Sequence, residues 1–233
     1  DIIRILGAWF GSLFGKEGKD FKSRMGAHNP DTQMGWFIIL GTMPILIAGL
    51  LFKHAIEGSL RNLWITVTVL ALFGVLLWVV DARSKQVKTM KEMTWKDALI
   101  FGIGQMLALI PGVSRSGGTI TFGRAMGYTR EAAVRVSFLM AIPAVFGAGI
   151  LEAVSAVKDV AAGDAGMFPG WGPTIAAAIV AFVVGYVVII GFLKFVSTFS
   201  YKAFAIYRIG LAIVVALLLI TGVLSPLEAA AAA

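Results

Sequence analysis

The chain has 233 residues, of which 58% are hydrophobic and 14% charged, and its mean hydropathy is +0.88. Soluble domains carry about 25% charged residues, so this composition excludes an ordinary soluble protein and indicates an integral membrane protein. The absence of cysteine from the sequence excludes disulfides, thiolate metal sites and a cysteine nucleophile. The net charge of +7 does not indicate a nucleic-acid partner, because the basic residues gather in loops between apolar segments.

The first apolar segment, Ile2–Phe14, is too short to cross a membrane. A helix rises about 1.5 Å per residue, whereas the hydrocarbon core is about 30 Å thick. We expect this segment to be the end of a preceding span or an interfacial helix. The next apolar run, Gly35–Phe52, is the first that is long enough to span, and Pro44 within it predicts a kink.

Four further apolar runs are long enough to cross the membrane: Leu63–Val80, Glu131–Glu152, Thr174–Leu193 and Ala203–Val223. A polar loop is predicted from Lys158 to Gly172, between the second and third of these runs. The alanine-rich end, Leu227–Ala233, resembles an engineered or unspecific terminus and is left out of the fold prediction.

One apolar run, Ala98–Ile110, stops short of a full crossing. It has 13 residues before Pro111 and would extend only about 20 Å as a helix. A polar, glycine-rich loop follows, and Thr119–Met126 can restart a short helix that returns. We therefore predict a re-entrant hairpin over residues 98–128, with its tip near the membrane midplane.

The loop charges favour the same arrangement. Residues 1–35 and 81–97 each carry five Lys or Arg, whereas residues 53–61 carry two. The basic loops fall on one side of the membrane only if residues 98–128 do not span it, and that side is expected to be cytoplasmic. The predicted fold is an all-α polytopic membrane protein, one transmembrane domain with about five full transmembrane helices plus the re-entrant helical hairpin.

The hairpin tip, Pro111–Thr121, is the polar exception in an apolar chain. Its glycines allow backbone N–H groups to approach a ligand, and Ser114 or Ser116 can cap the helix that restarts near Thr119. A helix start attracts anions, and Arg115 adds a permanent charge suited to phosphate or carboxylate. The sequence therefore predicts an oxyanion pocket. The alternative is a packing hairpin of small residues whose arginine pairs with a buried acid.

Three other polar residues are candidates for roles near the loop. Gln105, on the half-helix that enters it, can orient a ligand or contact another helix. Arg208, near the start of the last span, can reach the pocket or extend to the membrane interface. Arg135 is expected to pair with lipid phosphate or with an acid in a loop.

Four motifs occur in a fixed order along the chain: Gly41–Pro44, Pro111–Gly117 with Gln105 and Ala108 before it and Thr119 after it, Ser137–Pro143, and Phe204–Arg208. As a set they resemble the signatures of the bacterial undecaprenyl pyrophosphate phosphatases, the bacitracin-resistance family. The resemblance covers nearly all of the chain.

This resemblance implies an enzyme that removes the terminal phosphate from the C55 isoprenyl diphosphate and so recycles the lipid carrier for cell-wall synthesis. It implies two inverted repeats in the bacterial inner membrane, each with a re-entrant hairpin, that meet at a site open to the outer face. Arg115 is expected to clamp the diphosphate, and Ser114 and Thr119 to contact it as catalytic residues. The residues expected to bind the substrate around them are Ser116, Gly117, Gly118 and Gln105.

The family's first signature, a Glu-x-x-x-Glu helix followed by a Pro-Val-Ser-Ser loop and a histidine, has no counterpart in this sequence. We expect it upstream of Asp1, so that the N-terminal repeat is incomplete and this chain is the larger part of the fold. The nucleophile, the general acid or base and the ligands of any divalent cation are expected there. Neither Glu131 nor Glu152 takes the place of those acids, and the chain on its own is expected to be inactive.

A secondary transporter or flippase for an anionic lipid or a small anion is the alternative function. Transporters also bind anions at the N-termini of broken helices, and Arg115 would then bind its ligand without hydrolysis. A glutamate pair and a histidine before Asp1 would favour the enzyme. The expected partners are the isoprenyl diphosphate and membrane lipids, a homo-oligomer is left open, and no nucleic acid is expected.

Overall fold

A computed structural model of the protein describes residues 1–16, 18, 20–162 and 169–227. Within these residues the chain forms ten α-helices and no β-strand. The helices in chain order are α1 (Ile2–Leu13), α2 (Phe21–Arg24), α3 (Pro30–Leu51), α4 (Lys53–Glu57), α5 (Leu63–Arg83), α6 (Trp95–Met106), α7 (Arg115–Ala125), α8 (Arg130–Ala161), α9 (Trp171–Thr198) and α10 (Lys202–Ile220).

Five of these helices, α3, α5, α8, α9 and α10, are long and apolar enough to cross a membrane. This confirms the prediction of an all-α polytopic membrane protein with five spans. Most of α9 is exposed, as expected for a helix that faces lipid, whereas Val196 near its end is buried. The first apolar segment forms α1, which has 12 residues and packs against α3 through contact of Trp9 with Gly35.

Several helix ends differ from the ends of the apolar runs, although α5 begins at the predicted Leu63. The third span continues to Ala161, past its predicted end at Glu152, because backbone hydrogen bonds can extend a helix beyond the hydrocarbon. Lys158 therefore lies in α8 and not in the predicted loop. Residues 163–168 of that loop and residues 228–233 of the alanine-rich tail lie outside the described residues.

Polar caps explain the early start of the first span. The Asn29 side chain accepts hydrogen bonds from the N–H groups of Asp31 and Thr32, and Pro30 occupies the first helical position. Both features favour a helix start. The helix therefore begins five residues before the predicted Gly35, where hydrophobicity alone carries no signal.

Two short helices, α6 and α7, form the predicted hairpin. They have 12 and 11 residues, which correspond to about 18 Å and 17 Å of helix and cannot cross a membrane singly. They run antiparallel in close contact, because a Cβ on Gly118 would clash with the carbonyl oxygen of Gly104, and one on Gly123 would clash with the Phe101 ring. Glycine at these positions lets the two backbones approach.

The two ends of the hairpin meet at its base. The N–H groups of Val87 and Lys88 donate to the carbonyl oxygen of Gly127 at 2.9 and 3.0 Å, and the Thr129 N–H donates to the Lys88 carbonyl at 2.9 Å. The chain thus enters and leaves the hairpin at one end, which is the geometry of a re-entrant segment.

In the loop that precedes the hairpin, hydrogen bonds from the Thr89 N–H and hydroxyl hold the pKa of the exposed Glu92 carboxyl below its usual value.

The hairpin tip lies beside the first half of α5. Gly112, with φ of +98°, lies beside Thr66 and Leu70 in the first half of α5. The base of the hairpin contacts Asp81 near the other end of α5, about 22 Å along the helix from Thr66. The tip therefore lies past the middle of that helix as seen from the base, and its depth in the membrane stays a prediction.

A buried ion cluster at the base joins four helices. The Asp81 carboxylate accepts hydrogen bonds from Arg124 Nε at 2.8 Å, from Arg130 Nε at 3.0 Å and from the Tyr201 N–H at 3.2 Å. Arg124 also donates to the carbonyl oxygen of Tyr128. These bonds connect α5 with α7, with α8 and with the start of α10, and so fix the hairpin within the bundle.

Candidate active site

Helix α7 begins earlier than predicted, within the loop at the hairpin tip. The helix starts at Arg115, four residues before Thr119, and Ser114 is its cap. The Ser114 hydroxyl oxygen accepts a hydrogen bond from the Gly117 N–H at 3.3 Å, while the Ser116 hydroxyl lies 3.5 Å from it. Of the two serines considered as caps, the structure therefore uses Ser114.

Ser114 has an uncommon backbone conformation, with φ of +67° and ψ of 126°. A side chain at positive φ outside the left-handed helical region costs on the order of 1–3 kcal/mol, and such residues cluster at functional sites. Two local features accompany this conformation. Gly112, two residues earlier, also has a positive φ, and the Ser114 hydroxyl accepts the cap hydrogen bond from the Gly117 N–H.

The start of α7 keeps two backbone donors free. The N–H groups of Gly117 and Gly118 donate to the hydroxyl and the carbonyl oxygen of Ser114. In the described part of the chain, the N–H groups of Arg115 and Ser116 donate to no other group. Free donors at the positive end of a helix dipole are the usual elements of an anion site.

Arg115, the first residue of α7, carries a positive charge. Its side chain is half-buried, and Nη1 lies 3.5 Å from the carbonyl oxygen of Ala141 in α8. No carboxylate of the described residues lies within ion-pair distance of it. The alternative of an arginine paired with a buried acid therefore does not describe Arg115, although it does describe Arg124 and Asp81.

A second guanidinium group reaches the loop from α10. Arg208 is buried, and its Nη2 donates to the carbonyl oxygens of Gly112 at 2.6 Å and Val113 at 2.9 Å. Of its two predicted placements, the structure shows the one that reaches the loop. The sequence did not reveal these contacts, although an arginine inside an apolar span was itself a signal for a partner.

The remaining candidate residues lie within the hairpin. Thr119 is buried and its hydroxyl donates to the Arg115 carbonyl at 2.7 Å, so its contact with a substrate stays a prediction. Gly118 packs against Gly104, whereas Gln105 is buried with no hydrogen-bond partner for either amide atom in the described residues. Buried amide atoms usually have a hydrogen-bond partner, so the binding of substrate by Gln105 stays a prediction.

Arg135 lies away from this group of residues. It forms an ion pair with Glu131 at 3.0 Å, one helical turn earlier, and lies 3.8 Å from Asp1. Among the described residues, no three His, Asp or Glu side chains lie close enough to hold a metal ion. The structure therefore assigns no metal ligand in the part of the chain that it describes.

Comparison with known families matches residues 1–214 to the family described as "Bacitracin resistance protein BacA". The chain belongs to this family. It is 91% identical over 233 residues to the undecaprenyl-diphosphatase of Bifidobacterium adolescentis, an alignment that covers 100% of this chain and 79% of that relative. Family membership confirms the resemblance carried by the four sequence motifs.

More distant relatives carry the same name. The undecaprenyl-diphosphatase of Bifidobacterium animalis subsp. lactis is 75% identical over 228 residues, which are 98% of this chain and 77% of that relative. That of Pseudarthrobacter chlorophenolicus is 51% identical over 226 residues, which are 97% and 77% of the two chains.

Proposed function

We propose that this protein hydrolyses undecaprenyl diphosphate to undecaprenyl phosphate and phosphate, and so recycles the lipid carrier for cell-wall synthesis. The observation that carries the proposal is Arg115. It is a half-buried guanidinium group without a carboxylate partner in the described residues, and it belongs to the first residue of α7, where the N–H groups of Arg115 and Ser116 have no partner in the described residues. The names of the relatives, at up to 91% identity, support the same activity.

The proposed chemistry rests on stabilising negative charge at the terminal phosphate. When this phosphate is transferred to water, charge spreads over its oxygens, and preorganised donors stabilise that charge. Arg115 contacts these oxygens as a planar fork, together with the free N–H groups of Arg115 and Ser116. The hydroxyls of Ser114 and Ser116 supply further donors, and Gln105 orients the diphosphate. We assign no nucleophile within this chain.

We further infer that the site opens to the outer side of the inner membrane. The base of the hairpin follows the basic loop of residues 81–97, which the positive-inside rule places in the cytoplasm. The tip lies beside Thr66, near the opposite end of α5. The phosphate-binding end of the hairpin is then closer to the outer surface, and the isoprenyl chain extends into the surrounding lipid.

The test is the variant Arg115→Ala in the protein expressed from its native gene, with phosphate release from undecaprenyl diphosphate in detergent micelles as the measurement. We expect kcat/KM to fall by at least about 100-fold, because a preorganised charge donor is lost. Arg115→Lys should recover only part of the rate, since an ammonium group keeps the charge but not the planar fork. The control Arg135→Ala removes an exposed arginine and should keep the wild-type rate.

Two outcomes would contradict the proposal. An unchanged rate in Arg115→Ala would remove Arg115 from the mechanism. A wild-type protein that binds the diphosphate and moves it between leaflets without releasing phosphate would favour the transporter or flippase.

A further inference from the structure

Arg208 contacts the tip loop just before the residues of the proposed phosphate site. Its Nη2 donates to the carbonyl oxygens of Gly112 and Val113 at 2.6 and 2.9 Å. These two residues directly precede Ser114. The hydrogen bonds come from α10, so a distant helix fixes the backbone from which α7 starts.

The same guanidinium group also lies against the first turn of α7. A Cβ on Gly117 would lie 2.5 Å from Arg208 Nη1, which leaves space for no larger residue while Arg208 keeps its position. Arg208 thus contacts the chain on both sides of Ser114, the residue with φ of +67°. A strained conformation persists only where its surroundings hold it, and Arg208 supplies such contacts from both directions.

The partners of Arg208 distinguish it from the buried arginine at the hairpin base. Arg124 pairs with the Asp81 carboxylate at 2.8 Å, the usual arrangement for a buried charge. Arg208 has loop carbonyls as partners, and no carboxylate of the described residues lies within ion-pair distance of it. A buried cation that bonds only to the carbonyls of one loop is placed to control the conformation of that loop.

We propose that Arg208 is a positioning residue for the hydrolysis of the diphosphate. It holds the carbonyls of Gly112 and Val113 against the first turn of α7, and thereby keeps Ser114 and Arg115 in the conformation that receives the phosphate. This inference rests on the proposed function. Its expected effect is large, because a misplacement of about 1 Å in a catalytic group can cost about 100-fold in rate.

The test compares four variants of the protein expressed from its native gene: Arg208→Met, Arg208→Lys, Gly117→Ala, and the double variant of Arg208→Met with Gly117→Ala. The measurements are kcat and KM for undecaprenyl diphosphate. Arg208→Met should lower kcat/KM by about 100-fold, and Arg208→Lys should recover part of it. Gly117→Ala should also lower it, because the added methyl group displaces Arg208. In the double variant the clash with the guanidinium group is gone, and the closest remaining contact is one of 3.2 Å with Ser114 Cβ, so the loss should stay close to that of Arg208→Met.

Thermal unfolding in detergent separates positioning from folding. Gly117→Ala and Arg208→Lys should keep unfolding midpoints close to that of the control Arg83→Met, which removes an exposed arginine at the end of α5 and should keep the wild-type activity. Wild-type kcat/KM in Arg208→Met, or losses that add in the double variant, would overturn the inference while leaving the proposed function intact. A wild-type protein that releases no phosphate would overturn both.

Discussion

Asp81 balances two guanidinium groups with one carboxylate, at a position where its side chain is only 3% exposed. Arg124 is fully buried, whereas the side chain of Arg130 is 23% exposed, so the solvent reaches only one of the two cations. The cluster therefore depends on the single negative charge. Loss of one partner from a buried ion cluster is costly because the other charge remains buried.

Replacement of Asp81 by asparagine should destabilise the protein by about 3–5 kcal/mol, since Arg124 would then lack a counter-charge. The measurement is the midpoint of unfolding in mixed detergent micelles. The matched control is Glu131→Gln, which breaks the exposed ion pair with Arg135 and should cost less than about 1 kcal/mol. Equal shifts for the two variants would show that the Asp81 cluster does not hold the hairpin.

At the residue scale, the sequence predicted which polar residues lie at the hairpin tip but not which distant residues contact the hairpin. Arg115 and the cap at Ser114 follow from residue type and order, because glycine, serine and arginine have known preferences at helix starts. Asp81 lies 43 residues from Arg124 in the sequence, and the partners of Arg208 lie more than 90 residues from it. Contacts at that separation depend on how the helices pack, which the local sequence does not encode.

At the scale of the helices, α3 and α6 approach through two glycines. A Cβ on Gly102 would clash with the carbonyl oxygen of Gly41 and would lie 3.0 Å from Pro44 Cγ. Small residues at such crossings allow backbones to approach, which is a common way for membrane helices to pack. The position of α6 therefore depends on the absence of a side chain at this crossing.

Gly102→Ala should therefore destabilise the protein by about 1–3 kcal/mol, because the added methyl group forces the two helices apart. Gly49→Ala is the control, since a Cβ at Gly49 in α3 would meet no other atom within 4 Å. That control should be neutral or stabilising by up to about 1 kcal/mol, because alanine favours the helix. The unfolding midpoint measures both changes, and tolerance of Gly102→Ala would contradict the close crossing.

The helices show which features of a membrane fold hydrophobicity can predict. Apolar runs identified all five spans, because a span must satisfy its backbone internally and bury apolar side chains in lipid. They located the start of α5 at Leu63 but not the start of α3, which depends on the cap at Asn29. The contact between Gly112 and α5 also escaped prediction, because it depends on how the helices pack.

At the scale of the whole molecule, the hairpin sets the topology. The sequence contains no cysteine, so a single introduced cysteine can report the membrane side of each loop without background. We expect Lys85→Cys and Glu131→Cys, which flank the hairpin, to react with an impermeant maleimide from the same side. Arg61→Cys, before α5, should react from the other side. Labelling of Lys85→Cys and Glu131→Cys from opposite sides would show that the hairpin crosses the membrane.

Hydrogen bonds between Lys88 and residues 127–129 close the hairpin at its base, and this closed shape constrains how the hairpin is inserted into the membrane. Neither α6 nor α7 is long enough to enter the bilayer as an independent span, and the turn between them is polar. The pair can be stable in the membrane only against neighbours that already cross it. We therefore expect the hairpin to dock after both α5 and α8 have been inserted, as a late tertiary step in which changes at its base lower the yield of assembled protein.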